Sequence, residues 1–465
     1  MTDKPHTYFA SASADGEVRP IWCVEADSWP AIRDGLPPAA RGFADAAGFK
    51  PDAGNFLLLP AEGGAVAGAL FAFDRPSARL RNPFLAGKLG GLLPEGIWKF
   101  ASPPPDPRLA ALAFVLGQYR FIRYRKPETK NVRLVLPDGV DGEELTRTIN
   151  AVFLVRDLVN TPSNDCGPDD IEAAARSLAE RHGAFFRSVV GEILLTENFP
   201  LVHAVGRASS RAPRLIEFTW GDENHPKIAL VGKGVSFDTG GLDIKPSAGM
   251  LLMKKDMGGA AHALGLAQMI MDANLPVRLH VVIPAVENSI SADAFRPGDI
   301  LTSRKGDTVE VGNTDAEGRL ILADALALAD ESEPELIIDF ATLTGAARVA
   351  LGPELPAAFT DDDDLAAAFA RHAAAEADPH WRLPLWRPYQ SLLESKIADT
   401  NNVSSGSFAG AITAALFLAR FVGRAKSWLH LDVFAWNPSA KPGRPDGGEA
   451  QTIRALFALL AERYR

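Results

Sequence analysis

Cysteine is almost missing from the 465 residues: Cys23 and Cys166 are the only two, and they stand far apart. That excludes a disulfide-framed scaffold and fits the reduced thiols of a cytosolic protein, so a cytoplasmic location is expected. An excess of positive charge is missing too. Lys and Arg total 48 against 58 Asp and Glu, for a formal net charge of −10, whereas general affinity for nucleic acid or anionic lipid rests on clustered Lys and Arg. Neither partner is expected. The stretch 1–20 alternates small, polar and charged residues and holds no apolar run of signal-peptide length. The most apolar segment, 56–73, is broken by Pro60, Glu62 and paired glycines, and so falls short of the roughly 20 apolar residues that a membrane span requires. No internal repeat is visible, and no P-loop.

What is present is the composition of an ordinary globular protein, 47% hydrophobic and 23% charged, at a length beyond that at which one core keeps growing. Two domains follow. Residues 109–124 read as an amphipathic helix merging into a basic stretch, 120–130, and "NVRLVLP" reads as a strand. In 142–160, Leu145, Ile149, Val152, Phe153 and Val159 share one apolar stripe that stops at Asn160-Thr161-Pro162. The expected organisation is a smaller α/β N-terminal domain at 1–141, a linker helix at 142–162 and a larger catalytic domain at 163–465. In the last, the strand-length runs "KIALVG" (227–232), "VRLHVVIPA" (277–285), "ELIIDFATL" (335–343) and "SWLHLDVF" (427–434) alternate with helical stretches near 259–273, 319–332, 364–377 and 410–422. Such alternation gives an α/β fold with a mixed, mostly parallel sheet sandwiched by helices. The acidic run 361–364 reads as a helix N-terminus.

Ligands of such sheets bind beyond the carboxyl ends of strands, and of three charged segments here the first follows a strand while the other two lead into helices. The first runs Lys233-Gly-Val-Ser-Phe-Asp238-Thr-Gly-Gly-Leu-Asp-Ile-Lys245-Pro246, read as a Gly-rich loop. The second is Met253-Lys-Lys-Asp256-Met257-Gly258-Gly259, just before a helix. The third is Asn313-Thr314-Asp315-Ala316-Glu317-Gly318-Arg319. Were this last segment extended, Asp315 and Glu317 would project to one side. Four carboxylates brought together would raise one another's pKa unless positive charge lay among them, and two divalent cations would balance them. Each segment alone has a plainer reading as helix cap, turn or surface charge.

The strings VGKGVSFDTGGLDIKPS, MKKDMGGAA and NTDAEGRLILADAL resemble the signature segments of the leucine aminopeptidase family of dinuclear metallopeptidases, with NTDAEGRL as its hallmark. Further likeness lies in RDLVNTP (156–162), RPGDI (296–300), ATLTGA (341–346) and AGAITAALFLARF (409–421); little is carried by the first 150 residues. The resemblance implies that Asp238 and Glu317 contact both metals, Lys233 and Asp256 complete the tighter site, and Asp315 completes the more exchangeable one. Either Zn²⁺ or Mn²⁺ suits such ligands. A bridging water would be the nucleophile, one metal would bind the substrate's free α-amino group, and the other would polarise the scissile carbonyl. Lys245 would stabilise the oxyanion, and Arg319 would hold a bicarbonate ion acting as general base. Met253, Thr342 and Gly345 would line the pocket for the first side chain or contact the substrate backbone. The resemblance further implies a homohexamer whose enclosed sites admit short peptides, suited to turnover of peptide fragments. Two departures appear: the chain reads His430-Leu-Asp432-Val-Phe-Ala-Trp436-Asn-Pro438 where the family commonly has a Gly soon after the HxD segment, and its Thr-Gly pair before the final helix is missing. Rival readings are a two-metal phosphoesterase and a non-catalytic member that keeps its metal site.

Overall fold

The structure, a computed structural model, describes residues 8–10, 17–75, 81–125 and 130–465. Most of the charged stretch 1–20 and residues 126–129 of the basic segment lie outside the described residues. The chain divides into two units, Met1–Asn150 with Ser439–Asp446, and Ala151–Pro438 with Gly447–Arg465; the division falls inside the helix Gly142–Asn160.

The smaller unit is built on a six-stranded sheet in the order Phe9–Ala10, Val132–Val135, Gly96–Phe100, Val18–Val24, Val66–Ala72 and Phe56–Pro60, with only the last pairing antiparallel. Its helix Pro107–Leu116 starts where the Asp106 side chain accepts from Leu109 N, with Pro107 in the first turn. It stops at Gly117, well short of the 109–124 expected, because a glycine just past the last apolar turn favours termination.

The larger unit carries a nine-stranded sheet. Its order is Trp381–Arg382, Ala357–Phe359, Trp428–Asp432, Leu336–Ala341, Lys227–Gly232, Arg278–Asn288, Arg214–Trp220 and Phe185–Val190, with Gly234–Asp238 added beside Arg278–Asn288. The central pairings are parallel, and antiparallel ones appear toward both edges. Leu336–Ala341 is buried along its whole length, which is why it reads as a continuous apolar run. The helices Gly258–Asp272, Glu317–Glu331, Asp363–Ala375 and Gly410–Ala419 stand close to the expected positions. The acidic run does open a helix: Asp362 accepts from Leu365 N at its start.

One segment departs from its reading as a loop. Gly234–Asp238 is a strand, parallel to Arg278–Asn288, with a register irregularity between Val235 and Asp238 that sets Asp238 opposite Asn288. Such irregularities re-aim side chains next to functional sites.

Two buried polar groups fix this architecture. Asp324, fully buried on Glu317–Glu331, accepts from Leu201 N at 2.8 Å and Val202 N at 3.3 Å, at the start of Pro200–Gly206, and from Arg304 N at 2.8 Å. Burial raises its pKa to about 7 against the pull of these donors. Asp324→Asn keeps the shape but turns an amide N–H₂ toward one set of N–H groups. The expected cost is about 1–3 kcal/mol, read as a lower urea midpoint at unchanged slope.

His262 is also fully buried, with Nδ1 at 2.6 Å from Gly258 O and Nε2 accepting from Gln451 N at 2.9 Å, an arrangement that requires the neutral ring. Burial lowers its pKa to about 4. Between about pH 6.5 and 4 the unfolded chain binds this proton and the folded chain does not, so the stabilisation is complete above pH 6.5 and is lost as pH falls toward 4. Its size is about 3 kcal/mol. Urea unfolding of the parent and His262→Gln across that range should show a shallower pH slope for the variant; equal slopes would contradict it.

Candidate metal centre

The site forms where the strands Lys227–Gly232 and Leu336–Ala341 end, against the start of the helix Gly258–Asp272. Lys233 is held at this edge by its own backbone: its N donates to Phe340 O at 2.9 Å and its O accepts from Ala260 N at 2.8 Å. The helix approaches so closely that a Cβ on Gly259 would lie 2.1 Å from Phe340 O and 2.7 Å from Lys233 N. Gly318 gives the side chain its passage, since a Cβ there would lie 2.5 Å from Lys233 Cε and 2.6 Å from Nζ. Gly259 of MGGAA and Gly318 of AEGR thus share one effect, to seat this amine.

Lys233 Nζ stands 2.9 Å from Asp256 Oδ2 and 2.8 Å from Glu317 Oε1, and donates to Thr342 O at 3.1 Å. Lys245 Nζ stands 2.8 Å from Asp238 Oδ2 and contacts Asp315 Oδ1. The structure therefore brings together six of the seven residues expected to carry the chemistry, and the seventh, Arg319, lies in the first turn of the helix that Glu317 opens. One oxygen each of Asp238, Asp315 and Glu317 lies within 4.8 Å of the others. They do not meet through an extended backbone: Asp315 sits in a turn, its N donating to Asn313 Oδ1 at 2.7 Å, and Glu317 is the first residue of its helix.

Charge in this cluster is unbalanced. With all four carboxylates ionised, two ammonium groups leave a surplus of two negative charges. Burial, followed by Asp238 and Asp256, outweighs Lys233 and raises Glu317 to about 8. Burial and Asp238 raise Asp315 to about 6 despite Lys245. Burial would lower Lys233, but Asp256, Glu317 and Asp238 outweigh it and hold the amine above its ordinary value. Although Asp256 Oδ2, Asp315 Oδ1 and Glu317 Oε1 have ammonium neighbours at ion-pair distance, they accept no hydrogen bond among the described residues. Buried oxygens with unspent lone pairs, hard donors and one amine suit divalent cations.

Other residues hold these in place. Asp238 Oδ1 accepts from Gly240 N at 2.9 Å and from Asn288 Nδ2 at 2.8 Å, and the same Asn288 amide donates to Thr314 O at 3.1 Å. Thr314 joins the first and third segments: its Oγ1 donates to Gly240 O at 2.6 Å and accepts from Asp243 N at 2.8 Å. Thr342, expected at the pocket, donates its hydroxyl to Asp256 Oδ1 at 2.7 Å. Met253 is half-buried in the turn Met253–Met257, and Gly345 is exposed with open space around it. Arg319 Nη1 donates to Asn402 O at 2.7 Å, while its buried Nε has no partner among the described residues; burial, against Glu317 and Asp432, lowers its pKa to about 10. Asn402 in turn accepts from Gly312 N and donates to Asn313 O at 2.7 Å. Asn288 and Asn402 were missed in the sequence. The first had a signal, its place at a strand's carboxyl end; the second, some 85 residues from its partners, had none.

Residues 153–457 match the cytosol aminopeptidase family, catalytic domain. The chain belongs to that family. Residues 19–137 match the M17 aminopeptidase, N-terminal domain, so the resemblance also reaches the first 150 residues, where the sequence reading found little. A probable cytosol aminopeptidase of Syntrophotalea carbinolica is 42% identical over 366 residues, covering 75% of this chain and 73% of the relative. Peptidase B of Pectobacterium carotovorum is 42% identical over 348 residues, covering 72% and 80%. Among solved structures, the cytosol aminopeptidase from Coxiella burnetii superposes with a TM-score of 0.93 at 45% identity, covering 98% of this chain and 99% of its own. The bottromycin maturation enzyme BotP in complex with Mn gives 0.85 at 30%, covering 96% and 100%. Like its relatives in this family, the chain is a hydrolase of the aminopeptidase type.

Proposed function

We propose that the chain removes the first residue of short peptides with a free N-terminus, using two divalent cations, Mn²⁺ or Zn²⁺, held by Lys233, Asp238, Asp256, Asp315 and Glu317. The observation that carries this reading is the buried surplus of negative charge around unspent carboxylate oxygens. Bound there, the cations supply Lewis acidity and a shared water of lowered pKa. Lys233 must give up its proton to ligate, which the cations would drive despite the carboxylates that now hold it charged. With Asp238 and Asp315 engaged by cations, Lys245 would be free to donate to the substrate carbonyl oxygen and to its developing negative charge. Arg319 has donors left to hold an anion such as bicarbonate beside the reacting bond. Ligation of the substrate amine would confine cleavage to the first bond, and Met253, Thr342 and Gly345 would line the place of the first residue.

A cytoplasmic homohexamer is part of the proposal. Cys23 and Cys166 are buried and form no disulfide, and no helix among the described residues is long and apolar enough to cross a membrane. Val349, Trp386, Ile397 and Phe408 expose large apolar surfaces within the larger unit, as subunit contacts would require.

The test is hydrolysis of leucyl p-nitroanilide and its N-acetylated twin by protein stripped with chelator and resupplied with Mn²⁺ or Zn²⁺. Metal-dependent cleavage of the free amine alone is expected. Inactivity across a panel of free first residues, with metal bound, would overturn the reading.

A further inference from the structure

The smaller unit has a crevice of its own. Val18–Val24 runs parallel to both of its neighbours, Val66–Ala72 on one side and Gly96–Phe100 on the other. From Val18–Val24 the chain passes through the helices Trp29–Asp34 and Pro38–Ala46, and then Phe56–Pro60, to reach Val66–Ala72. From Gly96–Phe100 it passes through Pro107–Leu116 to Val132–Val135, in the opposite direction across the sheet. Right-handed crossovers made in opposite directions put their helices on opposite faces. The carboxyl ends of Val18–Val24 and Gly96–Phe100 therefore part, and at such a switch point an α/β sheet offers a crevice to ligands.

A cleft of about 200 Å³ lies there. Its lining comes from these ends: Cys23 and Glu25 at the end of Val18–Val24, Phe73 just after Val66–Ala72, and Ser102 just beyond Gly96–Phe100, with Ser28 and Ile32 from the cap and body of the first helix. The volume is below the roughly 300–1,000 Å³ of sites for drug-sized ligands, so the occupant is small.

Its polar groups divide sharply. Ser102 Oγ accepts from Cys23 N at 3.1 Å and donates to Cys23 O at 3.2 Å, and Ser28 Oγ accepts from Glu25 N at 3.0 Å and donates to Glu25 O at 3.2 Å. Both hydroxyls spend their protons on the backbone. Burial, opposed by Ser102 and aided by the charge of Glu25, pushes the Cys23 thiol well above its ordinary range, so it is a wall of the cleft and not a nucleophile. What remains is the half-buried Glu25 carboxylate, which makes no hydrogen bond or ion pair among the described residues. No Lys, Arg or His lines the cleft among the described residues. A lone carboxylate beside Ile32 and Phe73 selects a cation with an apolar body. An amino acid would bring a second carboxylate, for which the lining offers no counter-charge.

We propose that this crevice of the smaller unit is a second binding site, for a small organic ammonium ion whose charge meets Glu25 and whose apolar body lies against Ile32 and Phe73. None of its residues belongs to the metal centre, and the proposal does not depend on the aminopeptidase reading.

The experiment is calorimetric titration of the full Mn²⁺-loaded protein with isopentylammonium, leucine and 4-methylpentanoate, which put an amine, an amine with a carboxylate, and a carboxylate on one apolar body. Isopentylammonium is expected to bind the parent saturably. Glu25→Gln should weaken that binding about tenfold or more, through loss of a charge-assisted contact. Ile32→Trp, which adds bulk to the lining and leaves the carboxylate, should weaken it as well. Unchanged ammonium affinity in either folded variant, or no saturable binding to the parent, overturns the proposal. Leucine bound through Glu25 as tightly as isopentylammonium overturns the choice of an amine in favour of an amino acid, and 4-methylpentanoate bound as tightly overturns the role given to charge.

Discussion

Lys245→Ala is expected to lower kcat by about 10²–10³-fold at saturating metal, the range for removing one oxyanion donor. Lys245 is 15% exposed at its side chain, against 3% for Lys233, and its ammonium rests on Asp238 and Asp315 at the rim of the carboxylate cluster. A lysine that only neutralised those acids would change metal affinity when removed and leave kcat intact once metal saturates. One that meets the carbonyl oxygen would change kcat even then. Steady-state kinetics at saturating Mn²⁺, with metal content measured for each preparation, separates the two. An unchanged kcat would assign Lys245 to charge balance alone.

The second large effect is on stability. Arg156, from the RDLVNTP segment, is fully buried and pairs with Glu449 through Nη2, 3.2 Å from Oε1 and 3.1 Å from Oε2. Glu449 also accepts from Ala450 N and Asn437 Nδ2, each at 3.0 Å. The charge thus ties the helix Gly142–Asn160 to the segment before the last helix. Removing one partner leaves the other's buried charge without its counter-charge in this pair, so Glu449→Gln or Arg156→Met alone should cost about 3–5 kcal/mol, whereas the double Arg156→Met/Glu449→Met should recover much of that. Urea unfolding of the four proteins gives the comparison. Additive single effects would show that the pairing contributes little.

Legibility followed the range of the interactions. Leu336–Ala341 and Lys227–Gly232 could be read because a strand buried on both faces is apolar throughout. The strand Gly234–Asp238 could not: its two paired residues before the irregularity are one glycine and one valine, and its pairing depends on a partner some 50 residues away. The carboxylates were legible as residue types in three motifs, but their convergence depends on packing that spacing does not encode, such as the Gly318 passage for Lys233. Two turns near the departures from the family pattern were not legible either. Ala435 (φ 58°) and Thr452 (φ 67°) adopt left-handed backbone without being glycine, at a cost for a side chain with Cβ. Each is held by a side-chain acceptor, Ala435 N by Gln451 Oε1 and Thr452 N by Asp378 Oδ1, both at 3.0 Å. No single-residue signal announces such a turn.

The central claim is that the buried carboxylates and Lys233 form one dinuclear centre. Calorimetric titration of chelator-stripped protein with Mn²⁺, repeated in buffers of different ionisation enthalpy, tests it most directly. Two ions per chain with net proton release are expected, as Lys233 and the raised carboxylates Glu317 and Asp315 surrender protons to the metals. A single ion per chain, or binding that leaves the protons in place, would contradict the account.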